Sequence, residues 1–292
     1  MSQSTPPRSA VDLHMHSLHS DGSMLVEDLV ARVVERGVRL MALTDHDNTA
    51  GITTAATEAE RLGIDFIPGV EISSEWSGIG IHIVGLGIDI QNPELQMGLE
   101  RIMEFRDWRA AEISRLLDNA GIPGAEAGAR KLAGSRMVGR THFARWLKDS
   151  GYCRDNGEAF QRWLGRGQMA YVPSDWIPMR DAISWIRLAG GVAVVAHPGR
   201  YKLSAERLRE LFVEFRDAGG GAIEVSSGSQ AAADREHLAK LARQLNLAAS
   251  LGSDFHGPEI GHAELGQLAP LPVGVQPVWE CLGHSFPLSP VH

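Results

Sequence analysis

The chain has 292 residues and a formal net charge of −8 at pH 7, and hydrophobic residues make up 43% of it. This length suffices for one barrel and a small additional domain, and the acidic balance argues against a broad basic surface for nucleic acid. No apolar run is long enough to span a membrane, and the two separated cysteines, Cys153 and Cys281, are expected to be free thiols, so we expect a cytoplasmic protein.

The first predicted strand, 10–13, leads into the motif His14-Met15-His16. Residues two apart in an extended segment point to the same side, so the two imidazoles project together, and Asp21 follows in the same loop. Amphipathic helices then alternate with short apolar runs at 40–43, 65–70 and 81–86. Continuous apolar runs between such helices are typical of a parallel sheet that is covered by helices.

The pattern changes after residue 92. A long helix is predicted over 93–120, and two shorter helical segments follow at 139–150 and 156–164 without a strand between them. The alternation resumes with a helix at 179–188 and strands at 192–196, 222–226 and 248–251. We therefore predict an α/β protein in which 10–101 and 174–292 form a barrel domain and 102–173 form a helical insertion.

Imidazole and carboxylate side chains lie at or near the ends of these apolar runs, where an α/β barrel keeps its active site. Nine of them are candidate metal ligands: His14, His16, Asp21, His46, Glu71, His82, His197, Asp254 and His256. Nine ligands are more than one tetrahedral ion needs and suit two or three ions if Glu71 or Asp254 bridges. A mixed set of this kind favours manganese, iron or zinc over calcium or magnesium, and manganese is the expected metal.

Six parts of the chain carry a resemblance to a known family. In chain order they are His14-Met15-His16 with Ser20-Asp21-Gly22, Thr44-Asp45-His46-Asp47, Glu71, His82, Ala196-His197-Pro198 and Ser253-Asp254-Phe255-His256. They resemble the motifs of the PHP (polymerase and histidinol phosphatase) family of metallophosphoesterases, and the resemblance covers about 10–100 and 180–260. It implies a distorted seven-stranded (β/α) barrel and a cluster of three divalent ions.

The resemblance also implies how the ions share their ligands. It places His14, His16, Glu71 and Asp254 on one ion, Glu71, His82 and His197 on a second, and Asp21, His46 and His256 on a third. The predicted catalytic residues are His14, Asp21, Glu71, His197 and Asp254.

The expected reaction is attack on phosphorus by a hydroxide held between ions roughly 3.5–4 Å apart, while the ions neutralise the developing charge. The sequence contains no GxSxG or P-loop motif that would supply a protein nucleophile or a phosphate cradle. Asp45 and Asp47 either orient His46 and its loop or cap the helix that follows, and the sequence leaves both interpretations open.

Arg140, Thr141 and His142 lie at the opening of a predicted helix, where backbone amides favour anions. We predict that they bind a second phosphate, one that is not hydrolysed, and the alternative is a solvated helix face. A helical insertion that carries Gly-Arg-Thr-His-Phe is similar to the PHP branch that acts on nucleoside 3′,5′-bisphosphates.

The predicted function is therefore removal of the 3′-phosphate of a nucleoside 3′,5′-bisphosphate, for instance adenosine 3′,5′-bisphosphate to AMP and phosphate. The alternatives are a 5′→3′ exoribonuclease acting on short 5′-phosphorylated RNA, a histidinol-phosphate phosphatase, a non-catalytic PHP module and a metal-storage barrel. The net charge of −8 favours a small nucleotide over long RNA as the partner. Neither a membrane nor an obligate protein partner is expected.

Overall fold

Strands and helices alternate along most of the computed structural model, which describes residues 9–134, 137–228, 230–260 and 263–285. The strands are β1 Val11–Asp12, β2 Leu40–Leu43, β3 Asp65–Trp76, β4 Ile79–Leu86, β5 Ile177–Pro178, β6 Val192–Val195, β7 Ala222–Ser227 and β8 Ala248–Gly252. The α-helices are α1 Val26–Glu35, α2 Ile52–Leu62, α3 Pro93–Asn119, α4 Ala125–Ala133, α5 Arg140–Asp149, α6 Asn156–Ala159, α7 Met179–Leu188, α8 Ala205–Asp217, α9 Ala232–Leu245 and α10 Val278–Cys281.

The sheet is a nearly closed barrel of seven strands. Its strands follow the order β1-β2-β3-β4-β6-β7-β8, and the short β5 pairs with β3 off this path. The two ends of the order meet, because Leu13 N donates to Leu251 O at 3.1 Å and Asp254 N donates to His14 O at 2.8 Å. The predicted α/β class and the predicted barrel are therefore confirmed.

One strand direction differs from the prediction of a parallel sheet. β4 runs antiparallel to both β3 and β6. Ser77 and Gly78, which join β3 to β4, both have positive φ, at 48° and 75°, and a two-residue turn of this kind matches the twist of a hairpin. The reversal brings the start of β4 to the rim where the parallel strands end. His82 therefore pairs with Ser73 at that rim.

Two hydrophobic cores share the long helix α3. Leu95, Leu99 and Ile102 pack with the buried side chains of the barrel, whereas Ala110 and the residues after it pack with α4, α5 and the segment up to Val172. The change of core falls inside α3, close to the predicted boundary at 101/102. This change supports the division into a barrel and an insertion at 102–173, which stays a prediction.

Helix α4 is absent from the sequence predictions because its buried residues are the alanines 125, 129 and 133 and not large apolar side chains. Gly128 belongs to the same helix, and a Cβ added there would lie 1.9 Å from Trp146 Nε1. Small side chains thus let α4 approach α5 closely, a contact that a hydrophobic pattern does not reveal. Among the described residues, no helix combines the length and the hydropathy that crossing a bilayer requires.

Candidate metal centre and substrate cavity

The nine predicted ligands come together at one rim of the barrel. Most of them follow the carboxyl ends of parallel strands, as expected for a barrel site, whereas Glu71 lies within the long β3, level with His46, and His82 lies near the start of β4. In chain order the ligands are His14, His16 and Asp21 after β1, His46 after β2, Glu71 in β3, His82 in β4, His197 after β6, and Asp254 and His256 after β8.

The carboxylate of Glu71 is the centre of this cluster and is fully buried. Its two oxygens contact different imidazoles. Oε1 lies 2.9 Å from His82 Nδ1 and 3.0 Å from His197 Nε2. Oε2 lies 3.0 Å from His46 Nδ1 and 3.3 Å from both His14 Nε2 and His16 Nε2. Glu71 therefore has the geometry of a bridging carboxylate.

Two aspartates extend the cluster to either side. Asp254 Oδ1 lies 3.0 Å from His16 Nε2 and 3.3 Å from His14 Nε2. Asp21 Oδ1 lies 3.2 Å from His256 Nε2 and 3.8 Å from His46 Nε2. Imidazole nitrogens and carboxylate oxygens thus form one continuous network.

Three groups of residues each offer ligand atoms within 4.8 Å of one another. The groups are His14, His16, Glu71 and Asp254, then His16, Asp21, His46 and His256, then His46, Glu71 and His82. The first group is the set expected for one ion, and the second adds His16 to the expected Asp21, His46 and His256. The third places His46 where His197 was expected, although His197 also contacts Glu71. The assignment of ligands to separate ions stays a prediction.

Several buried ligand atoms of the described chain lack a hydrogen-bond partner: His14 Nε2, Asp21 Oδ1, His46 Nδ1 and Glu71 Oε2. A buried polar atom without a partner costs free energy, and a divalent cation satisfies such lone pairs. His14 has its other nitrogen, Nδ1, 2.8 Å from Glu224 Oε2, and a carboxylate contact of this kind orients the ring of a metal-ligating histidine, here with Nε2 facing the cluster. The donor set therefore fits a divalent metal site.

The electrostatics of the cluster attract positive charge. Burial raises the pKa of Glu71, but His46, His14 and His82 hold it well below the ordinary value. Burial lowers the pKa of His16, yet its hydrogen bond to Asp254 and the nearby carboxylate of Glu71 raise it to about 10. Burial lowers the pKa of His46 to about 3. The carboxylates are thus ionised in a place where a cation would be strongly held.

Asp45 and Asp47 fix the loops that carry the ligands. Asp45 accepts hydrogen bonds from Ser17 N at 2.7 Å and from Ser20 Oγ at 2.6 Å, so it ties β2 to the first ligand loop. Asp47 Oδ1 accepts from Ser73 N at 2.7 Å, next to the bridging carboxylate in β3. The N-terminal cap of α2 is Gly51, so the capping interpretation of these aspartates is wrong. Their contacts support the orienting interpretation, which stays a prediction.

Glu224 and Arg200 contact the cluster but are absent from the sequence predictions. Glu224 is buried in β7 beside His14, and its only sequence signal is a lone carboxylate in an apolar run. Arg200 Nη1 donates to Asp254 Oδ2 from the turn after β6, and its side chain is half exposed. Nothing in the local sequence separates this arginine from an ordinary surface residue.

A cavity of about 560 Å³ adjoins the cluster on the side of the insertion. Asp21 and His256 line it from the barrel. The residues that line it from α5 are Thr141, His142, Arg145 and Lys148, and Asn156, Glu259 and Ile260 complete the wall. The cavity thus joins a candidate metal site to a basic helix face.

The three residues predicted to bind a second phosphate have different positions. Thr141 and His142 line the cavity, whereas the guanidinium of Arg140 lies over the ring of Phe160, 5.9 Å from its centroid. Gly139 N donates to His142 Nδ1 at 3.1 Å, and burial lowers the pKa of His142. His142 is therefore neutral and carries its proton on Nε2. Binding of phosphate by the three residues stays a prediction.

Comparisons with known proteins agree with this site. A family model described as "PHP domain" matches residues 12–116. A 3′,5′-nucleoside bisphosphate phosphatase of Chromobacterium violaceum is 43% identical over 92% of this chain and 95% of its own length. A 5′-3′ exoribonuclease, Rnm, of Escherichia coli is 46% identical over 92% of both chains.

A solved structure from Chromobacterium violaceum, described as an amidohydrolase with bound sulfate and no metal, superposes with a TM-score of 0.88. It is 42% identical, and the match covers 94% of this chain and 96% of that one. The alignments extend over nearly the whole length, so they include the insertion as well as the barrel. The chain therefore belongs to the PHP family of metal-dependent phosphoesterases, in the branch of the bisphosphate phosphatase and exoribonuclease relatives, and it is a hydrolase of phosphate esters.

Proposed function

We propose that the protein removes the 3′-phosphate of nucleoside 3′,5′-bisphosphates, such as adenosine 3′,5′-bisphosphate, and releases AMP and phosphate. The observation that carries the proposal is the cavity that joins Asp21 and His256 of the cluster to Arg145 and Lys148 of α5. A substrate with two phosphates would place one at the cluster and the other against α5. The Chromobacterium violaceum relative, named for this activity, supports the proposal.

Helix α5 can bind a second phosphate through hydrogen-bond donors as well as through positive charge. Thr141 and His142 lie in its first turn, where the backbone amides and the helix dipole favour an anion. The neutral His142 supplies a donor at Nε2, and Arg145 presents a planar guanidinium that suits phosphate oxygens. We propose that these residues, with Arg140 next to them in the chain, hold the 5′-phosphate and thereby position the 3′-ester at the cluster.

We further propose that the nine residues of the cluster hold three divalent ions, with manganese as the metal and iron or zinc as alternatives. Bound ions of this kind lower the pKa of water and neutralise charge that develops on a phosphoryl group. The chain itself orients His14 through Glu224 and keeps Glu71 and Asp254 ionised. Arg200 uses part of its guanidinium on Asp254, so its remaining N–H groups can donate to phosphoryl oxygens.

A second candidate is the 5′→3′ exoribonuclease activity for which the Escherichia coli relative is named. Binding of a 5′-phosphate by α5 would position the substrate for this activity as well. Removal of the first nucleotide of a 5′-phosphorylated RNA breaks the bond between phosphorus and the 3′-oxygen of that nucleotide. This bond is the one that the bisphosphate reaction breaks, so the two activities differ only in what else the phosphorus carries.

The test is release of product from four compounds: adenosine 3′,5′-bisphosphate, AMP, histidinol phosphate and a 5′-phosphorylated dinucleotide, each with Mn²⁺ and with chelator. We expect rapid release of phosphate from the bisphosphate with Mn²⁺, no release from AMP, and no reaction with chelator. Faster cleavage of the dinucleotide would move the assignment to the exoribonuclease. Absence of turnover with all four would reject both proposals.

A further inference from the structure

A buried ion pair joins the helix that leads into the insertion to the loop that carries His46. Arg106 of α3 donates from Nε to Asp47 Oδ2 at 2.8 Å, and its Nη2 donates to Ser73 Oγ at 2.8 Å. The exposed fraction is 8% for Arg106 and 0% for Asp47. Both charges are therefore removed from water, and each depends on the other for compensation.

Asp47 stands between two of the candidate ligands. It follows His46 directly, and its N–H donates to Glu71 O at 2.9 Å. Its backbone φ is 53°, in the left-handed region that residues other than glycine seldom adopt. This conformation costs free energy and persists where the surrounding structure holds it. The pair with Arg106 and the hydrogen bond from Ser73 N supply that restraint. The positions of His46 and Glu71 thus depend on how firmly Asp47 is held.

The guanidinium of Arg106 is also covered by an aromatic ring. Trp176 lies over it, with 4.8 Å between the guanidinium carbon of Arg106 and the ring centroid. Arg106 lies near the start of the predicted insertion, 102–173, and Trp176 follows its end, so segments at both ends of the insertion contribute to this contact. Phe105 packs edge-on against the same ring at 5.3 Å.

We infer that Arg106 is a positioning residue of the metal centre, acting through Asp47 to fix His46 and Glu71, so that the start of the insertion sets the affinity for metal. The inference rests on the proposed metal centre but not on the identity of the substrate. Residues that orient metal ligands typically change metal affinity by about 10- to 100-fold when replaced, and an effect of this size is expected here.

Arg109 provides a matched control one helical turn away. It is buried to the same degree, with 6% exposed, and its guanidinium lies 5.5 Å from the centroid of the same Trp176 ring. Its Nε and Nη2 both donate to Val172 O, at 3.2 Å and 3.0 Å. Replacement of Arg109 therefore removes a buried arginine from α3 without removing the partner of Asp47.

The experiment compares Arg106→Lys, the double variant Arg106→Met with Asp47→Asn, and the control Arg109→Met. Metal-free protein is titrated with Mn²⁺, and free Mn²⁺ is counted by electron paramagnetic resonance. We expect both Arg106 variants to bind Mn²⁺ about 10- to 100-fold more weakly than the wild type, and Arg109→Met to bind within about twofold of it. Near-ultraviolet circular dichroism of each metal-free protein reports whether the tertiary packing is retained.

The double variant leaves no unpaired buried charge, so it is the version expected to fold. If it does not, Arg106→Lys, which keeps the charge but not the fork of two N–H groups, decides the result. Wild-type affinity in whichever variant retains the native circular dichroism would overturn the inference. Failure of the wild type to hydrolyse bisphosphates would count against the proposed substrate and would leave the Mn²⁺ titration and its interpretation intact.

Discussion

Glu71 shows at the scale of one residue why a fold is needed to make this site. Its side chain is fully buried, and burial alone would favour the neutral acid. Five imidazoles from four other segments of the chain surround it, and its two oxygens face different members of that set. His46, His14 and His82 hold its pKa well below the ordinary value and so keep it ionised. A carboxylate in this setting is well suited to bridge cations.

The ligand residues could be predicted from the sequence, but the charged residues that contact them could not. Histidine and aspartate after short apolar runs are uncommon enough to predict a site. Glu224 and Arg200 are single charged residues, and only their distances from His14 and Asp254 distinguish them from surface charges. Contacts between residues 210 or 54 positions apart cannot be read from local spacing.

Arg145 is the residue through which the second phosphate can be tested. Replacing Arg145 by Ala removes a cavity-lining guanidinium, and loss of a charge-assisted hydrogen bond costs about 1.5–3 kcal/mol. We expect KM for adenosine 3′,5′-bisphosphate to rise by about 10-fold or more, with little change for a phosphomonoester that lacks the second phosphate. Steady-state kinetics on both substrates measure this difference.

The matched control is Arg154→Ala, in the same insertion. Arg154 is exposed and pairs with Glu158, and it does not line the cavity. Its replacement should change neither KM. An equal rise in KM for both substrates in the Arg145 variant would show that the residue does not recognise the second phosphate.

At the scale of single elements, helix α5 illustrates what spacing can and cannot predict. Positions 141, 145 and 148 are spaced to share one helix face, and all three line the cavity. The sequence therefore contained the signal that Arg145 and Lys148 accompany Thr141. The sequence did not show that this face of α5 turns toward the cavity, because its orientation depends on how α5 packs against α4.

The contact between α1 and the segment after β8 gives a prediction on pH. Arg32 Nε donates to Glu264 Oε1 at 3.0 Å, and Arg36 Nη2 lies 2.7 Å from Oε2. Burial raises the pKa of Glu264, but the hydrogen bond from Arg32 and the N–H of Leu265 bring it below the ordinary value of 4.5. A lowered pKa stabilises the folded chain above pH 4.5 and loses that effect as pH falls through the lower, folded-state value.

Replacing Glu264 by Gln should therefore lower the free energy of unfolding at pH 7 by on the order of 1 kcal/mol. The difference in the free energy of unfolding between variant and wild type should become smaller as the pH is lowered below 4.5. Urea denaturation at several pH values measures it. The control is Glu112→Gln, which removes an exposed pair within α3 and should leave the denaturation midpoint unchanged. A difference for Glu264→Gln that stays constant with pH would contradict the assignment.

At the scale of the whole molecule, the metal centre should couple to folding. The ligands come from every part of the barrel, so the unfolded chain has no preformed site, and ions bind the native state alone. Metal at about 100 times its dissociation constant adds about 2.7 kcal/mol to the free energy of unfolding. We expect Mn²⁺ to raise the Tm of metal-free protein by roughly 5 °C or more, as measured by scanning calorimetry.

Two histidines of one loop serve as variant and control. His16→Ala removes a residue that contacts both Glu71 and Asp254 and should reduce the rise in Tm. His19→Ala changes an imidazole of the same loop that belongs to none of the three ligand groups found among the described residues, and the rise should persist. The same rise in both variants would place the Mn²⁺ site elsewhere.

The sequence by itself determined the chemistry and most of the elements. It identified the nine ligand candidates, the barrel class and the helices α3, α5 and α7 to within a residue or two, because periodicity and residue type are local properties. It also indicated a family whose membership the comparisons confirm.

Only the tertiary structure decided the reversed direction of β4, the hidden helix α4, the contacts of Asp47 and the partners Arg106, Arg200 and Glu224. Each of these depends on contacts between segments that are distant in the chain or on close packing of small residues. Such contacts are fixed when the barrel closes and the insertion folds against its rim, and no local pattern of side chains encodes them.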